Sequence, residues 1–435
     1  MLKLLVTLIL CSTATAFSQT STQSTLEKLA KTSAGDVQVS TPTMSATKPA
    51  ASAPARYWAV VAASTREERT KLSALGLTID ENTDKSVSGV ASEKTLSKIK
   101  TAGFTISYST TLERYHRKFV KDFPSSDSKY HNYTRTYSEL QSDAKALDGY
   151  ASLYSIGKSV ENRDIWCLRL NKDAKNDDAS SKPGALFVGD HHSREHLSVE
   201  VPLAFAKWLA DNKDTSDVKA MLDARDIYII PMLNPDGAEY DIATGQYQYW
   251  RKNTRKLDDG NMGTDLNRNY DNLWGVAGAS SDSSDETYMG PSAFSEPETQ
   301  AMRDFLGKHT NITDLIAYHT YGKNVYYPWS GQDADITDQT DLAAFKTMSA
   351  QVAQYTGYNW SKSSALYLSS GDFCDWAYAE HHIFALTIEL EPGQGDSGGF
   401  YPGAEAINQA SPGNIQAMFY MVKAADNPRS LAQQN

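Results

Sequence analysis

Beyond Lys129, short runs of apolar residues recur with stretches of helical spacing between them. The alternation of strand-like and helical segments predicts an α/β fold. Strands are expected at 165–170, 185–188, 227–232, 315–318 and 384–390. Leu197, Val201, Phe205 and Trp208 fall at helical spacing, so one helix should lay that face on the sheet. A smaller unit precedes this region. Residues 57–61 read as a strand, and Ser64 with Glu67 reads as a capping box opening a helix that Gly76 ends. Short strands are expected at 77–79 and 87–90. A helix follows Ser92, carries Leu96 and Ile99 on one face and stops at Gly103, and 104–106 is a last strand. The order β-α-β-β-α-β is ferredoxin-like. So few residues bury too little surface to be stable alone, so the unit should lean on something larger. No internal repeat is visible.

Composition divides the chain further. At 435 residues, two folded units are expected, and 40% apolar residues suffice for a large core. Lys3, the apolar residues 4–10 and Ala14-Thr15-Ala16 form an export signal over residues 1–16, with a run too short to span a membrane. Cys11 follows Leu10, where a lipid-modified cysteine would follow a small residue. Residues 17–55, rich in Ser, Thr and Ala, read as a flexible spacer. Residues 112–123 carry Arg114, Arg117, Lys118 and Lys121 ahead of Pro124, a basic connection open to proteolysis or a solvated linker. A net charge of −11 argues against nucleic acid as partner. The expected product is a secreted, extracellular monomer. After export two cysteines remain, Cys167 and Cys374, read as free buried thiols. Asn132, Asn311 and Asn359 each open an N-x-S/T sequon.

The candidate chemistry sits at strand ends. His192 and Glu195 follow the apolar run 185–188, and His319 closes the run 315–318. Two imidazoles and a carboxylate are a catalytic zinc set, leaving one position open for water. His191 and His196 compete for the same role but read better as polar neighbours. Glu389, flanked by apolar residues in 384–390, is costly to bury unless it works as a proton carrier. Arg251 and Arg268 are candidate partners for a carboxylate or an oxyanion.

Five ordered segments then carry a family resemblance: His192-Ser-Arg194-Glu195-His196, Asn234-Pro-Asp-Gly237, Gly290 to Thr299, His319-Thr-Tyr321, and Tyr367 with Asp375-Trp376 and Glu389. From Lys129 onward the chain resembles the zinc metallocarboxypeptidases of the carboxypeptidase A/B type, and in wording the carboxypeptidase T-like branch. The resemblance implies a three-layer α/β/α sandwich on a mixed eight-stranded sheet over residues 124–435, preceded by an activation segment and linker over 56–123. It implies one Zn2+ held by His192, Glu195 and His319, with Glu389 as base and then acid. Arg251 would stabilise the oxyanion. Asn267, Arg268 and Tyr367 would clamp the terminal carboxylate of a peptide or protein substrate. Arg194 and Tyr321 would line further subsites, and Cys374 would form the floor of the side-chain pocket. With Cys374 and Ser330 neutral and Asp372 two positions away, a preference for apolar or aromatic C-terminal residues is expected, with some tolerance of basic ones. Two other functions are conceivable on this fold: an amidase of cell-wall or modified peptides, and an inactive peptide binder. Neither calls for the intact set of clamp residues together with Glu389.

Overall fold

A computed structural model describes residues 55–112, 127–172, 174–178 and 180–434. The expected export signal, nearly all of the spacer and the connection at 113–126 lie outside the described residues. The described chain belongs to one compact unit, Pro54–Asn435.

The first sheet has four strands, β1 (Arg56–Ala62), β2 (Glu81–Asn82), β3 (Ser86–Ser92) and β4 (Ile106–Thr111), in the order β2-β3-β1-β4. Helices α1 (Arg66–Ala74) and α2 (Glu93–Thr101) complete the expected element order. Three local expectations shift. The capping box is one residue later, at Thr65 and Glu68. The strand expected at 77–79 becomes an irregular approach to β3, with Thr78 N bonding Val90 O and Asp80 N bonding Ser88 O, and regular pairing begins only at Glu81. That approach needs Gly89, because a Cβ there would lie 1.9 Å from Thr78 O. The strand expected at 104–106 begins only at Ile106, after Gly103 turns with φ +88°.

The second sheet has eight strands. They are β5 (Ala151–Lys158), β6 (Asp164–Leu170), β7 (Gly184–Val188), β8 (Asp226–Ile230), β9 (Ile312–Gly322), β10 (Asn324–Tyr327), β11 (Asn359–Lys362) and β12 (Phe384–Gly393). Their order is β11-β10-β12-β9-β7-β8-β6-β5, parallel through β12, β9, β7 and β8 and antiparallel towards β5. Strands β5, β10 and β11 were not expected. Two of them are edge strands, which bury less and so show weaker apolar alternation. Strand β8 ends at Ile230, since Pro231 cannot donate to a ladder.

Helices α3 (Tyr133–Ala146), α4 (Leu197–Asp211), α5 (Ser216–Ala224), α8 (Gln339–Thr356) and α10 (Glu405–Ala424) supply residues to one core layer. Helices α7 (Pro297–Lys308) and α9 (Phe373–His381) supply the other, and α6 (Pro235–Ile242) starts at the Asn234 cap. The three-layer α/β/α sandwich expected from the resemblance is present. Strand β7 is buried throughout, and Phe187 meets Phe205 of α4 edge-to-face at 5.4 Å. Full burial of such side chains contributes about 1.5–3 kcal/mol each, which keeps the carboxyl ends of the central strands in register. Among the described residues no helix is long and apolar enough to cross a membrane. Cys167 and Cys374 are free and buried.

Candidate metal centre and cleft

Strands β9 and β12 run parallel with His319 opposite Glu389. Side chains alternate along a strand, so both point to the face that carries α7 and α9. His192 and Glu195 lie in the turn between β7 and α4, where Glu195 N bonds His192 O at 3.0 Å. These elements bring three donors together. His192 Nδ1 lies 2.9 Å from Glu195 Oε1 and 3.1 Å from His319 Nδ1, and His319 Nδ1 lies 3.0 Å from Glu195 Oε2. All three side chains are buried, and their ligand atoms fall within 4.8 Å of one another.

The donor set fits a cation. His192 Nε2 faces Asp265 Oδ1 at 3.1 Å, which holds the proton on Nε2 and leaves the Nδ1 lone pair for a metal. Two imidazole nitrogens 3.1 Å apart beside a carboxylate point their lone pairs at one place, and a cation among them satisfies all three donors at once. Thr320 N donates to Glu195 Oε2 at 3.1 Å and fixes that carboxylate. His191 instead meets Tyr270 Oη at 3.0 Å, and His196 pairs with Asp241 at 2.9 Å, so neither joins the cluster.

Asp265 is a site residue that the reading of the sequence left without a role, although it stands inside the segment holding Asn267 and Arg268. One oxygen receives Arg251 Nε at 3.0 Å and Nη2 at 2.9 Å, while the other faces His192 and receives Asn267 N. Burial pushes its carboxyl up, but Arg251, Arg268 and His192 outweigh this and hold it well below the usual range. The anion therefore aligns the metal ligand and the guanidinium together.

Glu389 has one buried oxygen with no partner among the described residues. Burial, and then the nearby Glu195 carboxylate, push it up to about 8, so it is poised to hold or release a proton. Across the cleft, Arg268 is fixed through Nε to Gly278 O and through Nη1 to Asn267 O. The loop before α9 reaches Arg268 because Gly371 has φ +73°, and a Cβ there would lie 2.3 Å from Arg268 O. Tyr367 lines the same cleft, and burial raises its phenol.

Two expected substrate contacts are otherwise engaged. Arg194 is fully buried, with Nη2 on Asp80 at 2.9 Å and its guanidinium 4.1 Å from the Phe400 ring. Tyr321 Oη donates to Glu81 at 3.0 Å. Cys374 is buried in α9, where Thr387, a cleft residue, donates from Oγ1 to its thiol at 3.2 Å. Asp372, the N-cap of α9, lines the cleft wall.

Comparison with known proteins bears on the chemistry of this cleft. Residues 136–417 match the zinc carboxypeptidase family. A zinc carboxypeptidase of Saccharothrix mutabilis subsp. capreolus is 32% identical over 396 residues, covering 86% of this chain and 90% of that protein. Carboxypeptidase A1 of Homo sapiens is 30% identical over 306 residues, covering 69% of this chain and 71% of that protein. The crystal structure of carboxypeptidase A from Helicoverpa armigera shares the fold, with TM-score 0.68 and 23% identity over 88% of this chain and 99% of that one. The matched span takes in every strand that leads into the metal cluster, and the chain belongs to the zinc carboxypeptidases, metallopeptidases that use one zinc ion.

Proposed function

We propose that the chain is a secreted zinc carboxypeptidase that removes C-terminal residues from peptides and is made latent by residues 56–112. The observation that carries this reading is one cleft joining His192, Glu195 and His319 to Glu389, Arg251, Arg268 and Tyr367. A bound zinc ion would act as a Lewis acid on the scissile carbonyl and lower the pKa of water. Glu389 accepts a proton from the attacking water at its free oxygen and returns it to the leaving nitrogen. Arg251 donates to the carbonyl oxygen as charge develops there, held in place by Asp265. Asn267, Arg268 and Tyr367 bind the substrate's terminal carboxylate, which selects chain ends. Asn267 also ties this clamp to α9, with Nδ2 donating to Asp372 and Oδ1 accepting from Phe373 N.

Latency is supported by Asp80 and Glu81, which occupy Arg194 and Tyr321, and by Ile79, which lines the cleft. Secretion rests on the N-terminal signal pattern, and its test is N-terminal sequencing of exported protein. Specificity for apolar or aromatic ends, with tolerance of basic ones, is supported by Ser330 and by the state of the two acids nearby. Burial, and then Asp372, push the Asp375 carboxyl well up, so it brings little charge. Asp372 already accepts from Asn267 Nδ2 and from the amides of Cys374 and Asp375, so its charge is largely compensated. Zinc-loaded enzyme should therefore release Phe faster than Lys and leave C-terminal amides uncut. Fast cleavage of amides would refute the exopeptidase reading, and a strong Lys preference would refute the specificity.

A further inference from the structure

Arg56, the first residue of β1, places its guanidinium in a socket that the peptidase reaction does not use. Its Nη1 donates to Tyr249 O at 2.9 Å and to Glu286 Oε1 at 3.2 Å, and its Nη2 donates to Gln248 O. The guanidinium carbon lies 5.1 Å from the Trp250 ring centre. Glu286 is only 3% exposed, and its second oxygen is buried without a partner among the described residues. Two carbonyls, a carboxylate and an aromatic face complement a planar fork of N–H donors; a compact ammonium cannot reach all of them at once.

The socket is built wholly from residues 248–250 and 286, inside the family-matched region 136–417, so it stays behind when residues 56–112 depart. It also abuts the cleft. The Tyr249 ring lies 5.6 Å from the Arg194 guanidinium and packs edge-to-face on Phe400, a cleft residue. Burial pushes Glu286 up, but Arg56, Arg194 and Lys252 outweigh it and keep the group ionised. A buried carboxylate that loses one of its cations is a receptor for another.

We propose that Gln248, Tyr249, Trp250 and Glu286 form an alkylguanidinium subsite, filled by Arg56 in the intact chain and by an arginine side chain of a polypeptide at the cleft rim once residues 56–112 have left. The second occupancy rests on the latency described above; the first does not. The test is calorimetric titration of full-length, zinc-loaded Arg56→Ala with ethylguanidinium and ethylammonium. One site should bind ethylguanidinium at least about ten-fold more tightly than ethylammonium, since only the guanidinium matches the fork. Wild type, with the socket filled, and Arg56→Ala/Glu286→Gln should bind neither. Absence of binding to Arg56→Ala, or equal binding by the double variant, overturns the subsite. If Arg56→Ala does not fold, Arg56→Gln, which keeps an aliphatic stem, replaces it in the same titration. On the proteolytically processed, zinc-loaded enzyme, a peptide with an internal arginine should displace ethylguanidinium while its citrulline counterpart should not; failure of both to compete, or equal competition by both, overturns the polypeptide occupancy. Should the intact wild-type chain prove as active as the proteolytically processed enzyme, latency falls while the ethylguanidinium titration still decides the subsite.

Discussion

Replacing Asp80 by Ala removes the carboxylate that pairs with Arg194 in the docked state. The pair is 2.9 Å apart, with side-chain exposures of 3% and 0%. Breaking a buried ion pair by deleting one partner costs about 3–5 kcal/mol. The Phe400 face, 4.1 Å from the guanidinium, is present before and after and offsets nothing new. Once residues 56–112 undock, water reaches Arg194, so the cost falls on the docked form alone. At about 1.4 kcal/mol per decade, docking should weaken by roughly 10²–10⁴-fold. The assay is the initial rate of C-terminal residue release by the intact, zinc-loaded chain, with the proteolytically processed enzyme as ceiling. Asp80→Ala should move from latency towards that ceiling, and Asp80→Asn, similar in shape but neutral, should move with it. A folded Asp80→Ala chain releasing residues no faster than wild type would sink the reasoning.

Three further outcomes follow from the geometry. Glu389→Gln should lower hydrolysis by about 10²–10⁴-fold while zinc content stays at one per chain, and retained activity would reject Glu389 as the proton carrier. Asp265→Asn should weaken zinc binding by about 10–100-fold in chelator competition, because His192 loses the acceptor that sets its tautomer; unchanged affinity would reject that role. Glu298 is buried, and burial lifts its carboxyl from 4.5 to about 7 despite bonds from Val160 N and Asn253 Nδ2. Between those values the folded state holds a proton that the unfolded state has lost, so stability falls as pH rises, by about 3 kcal/mol in all above pH 7. Glu298→Gln should flatten this slope in urea melts at pH 5 and pH 8; an unaltered slope would exclude Glu298 as its source.

Much of the catalytic machinery was legible because its chemistry is local. His192 with Glu195, and His319 and Glu389 in apolar strands, stand out since metal ligands and isolated buried acids are costly anywhere else. Strands β7, β9 and β12 showed themselves through continuous apolar runs, as expected of strands covered on both faces. The four-residue strands β10 and β11 did not, because their pairing is set by neighbours from distant segments: β10 lies between β11 and β12.

The amino-acid sequence by itself determined the metal-ligand set and the alternation that makes the fold α/β, and it marked the residues proposed as proton carrier and carboxylate clamp. Only tertiary structure decided how these are aligned and covered. Asp265 spans His192 and Arg251 across residues far apart in sequence, and Asp80 meets Arg194 from the segment that leads into β2. Such ion pairs depend on which buried charges the fold brings within about 3 Å, and no local pattern of residues encodes that distance.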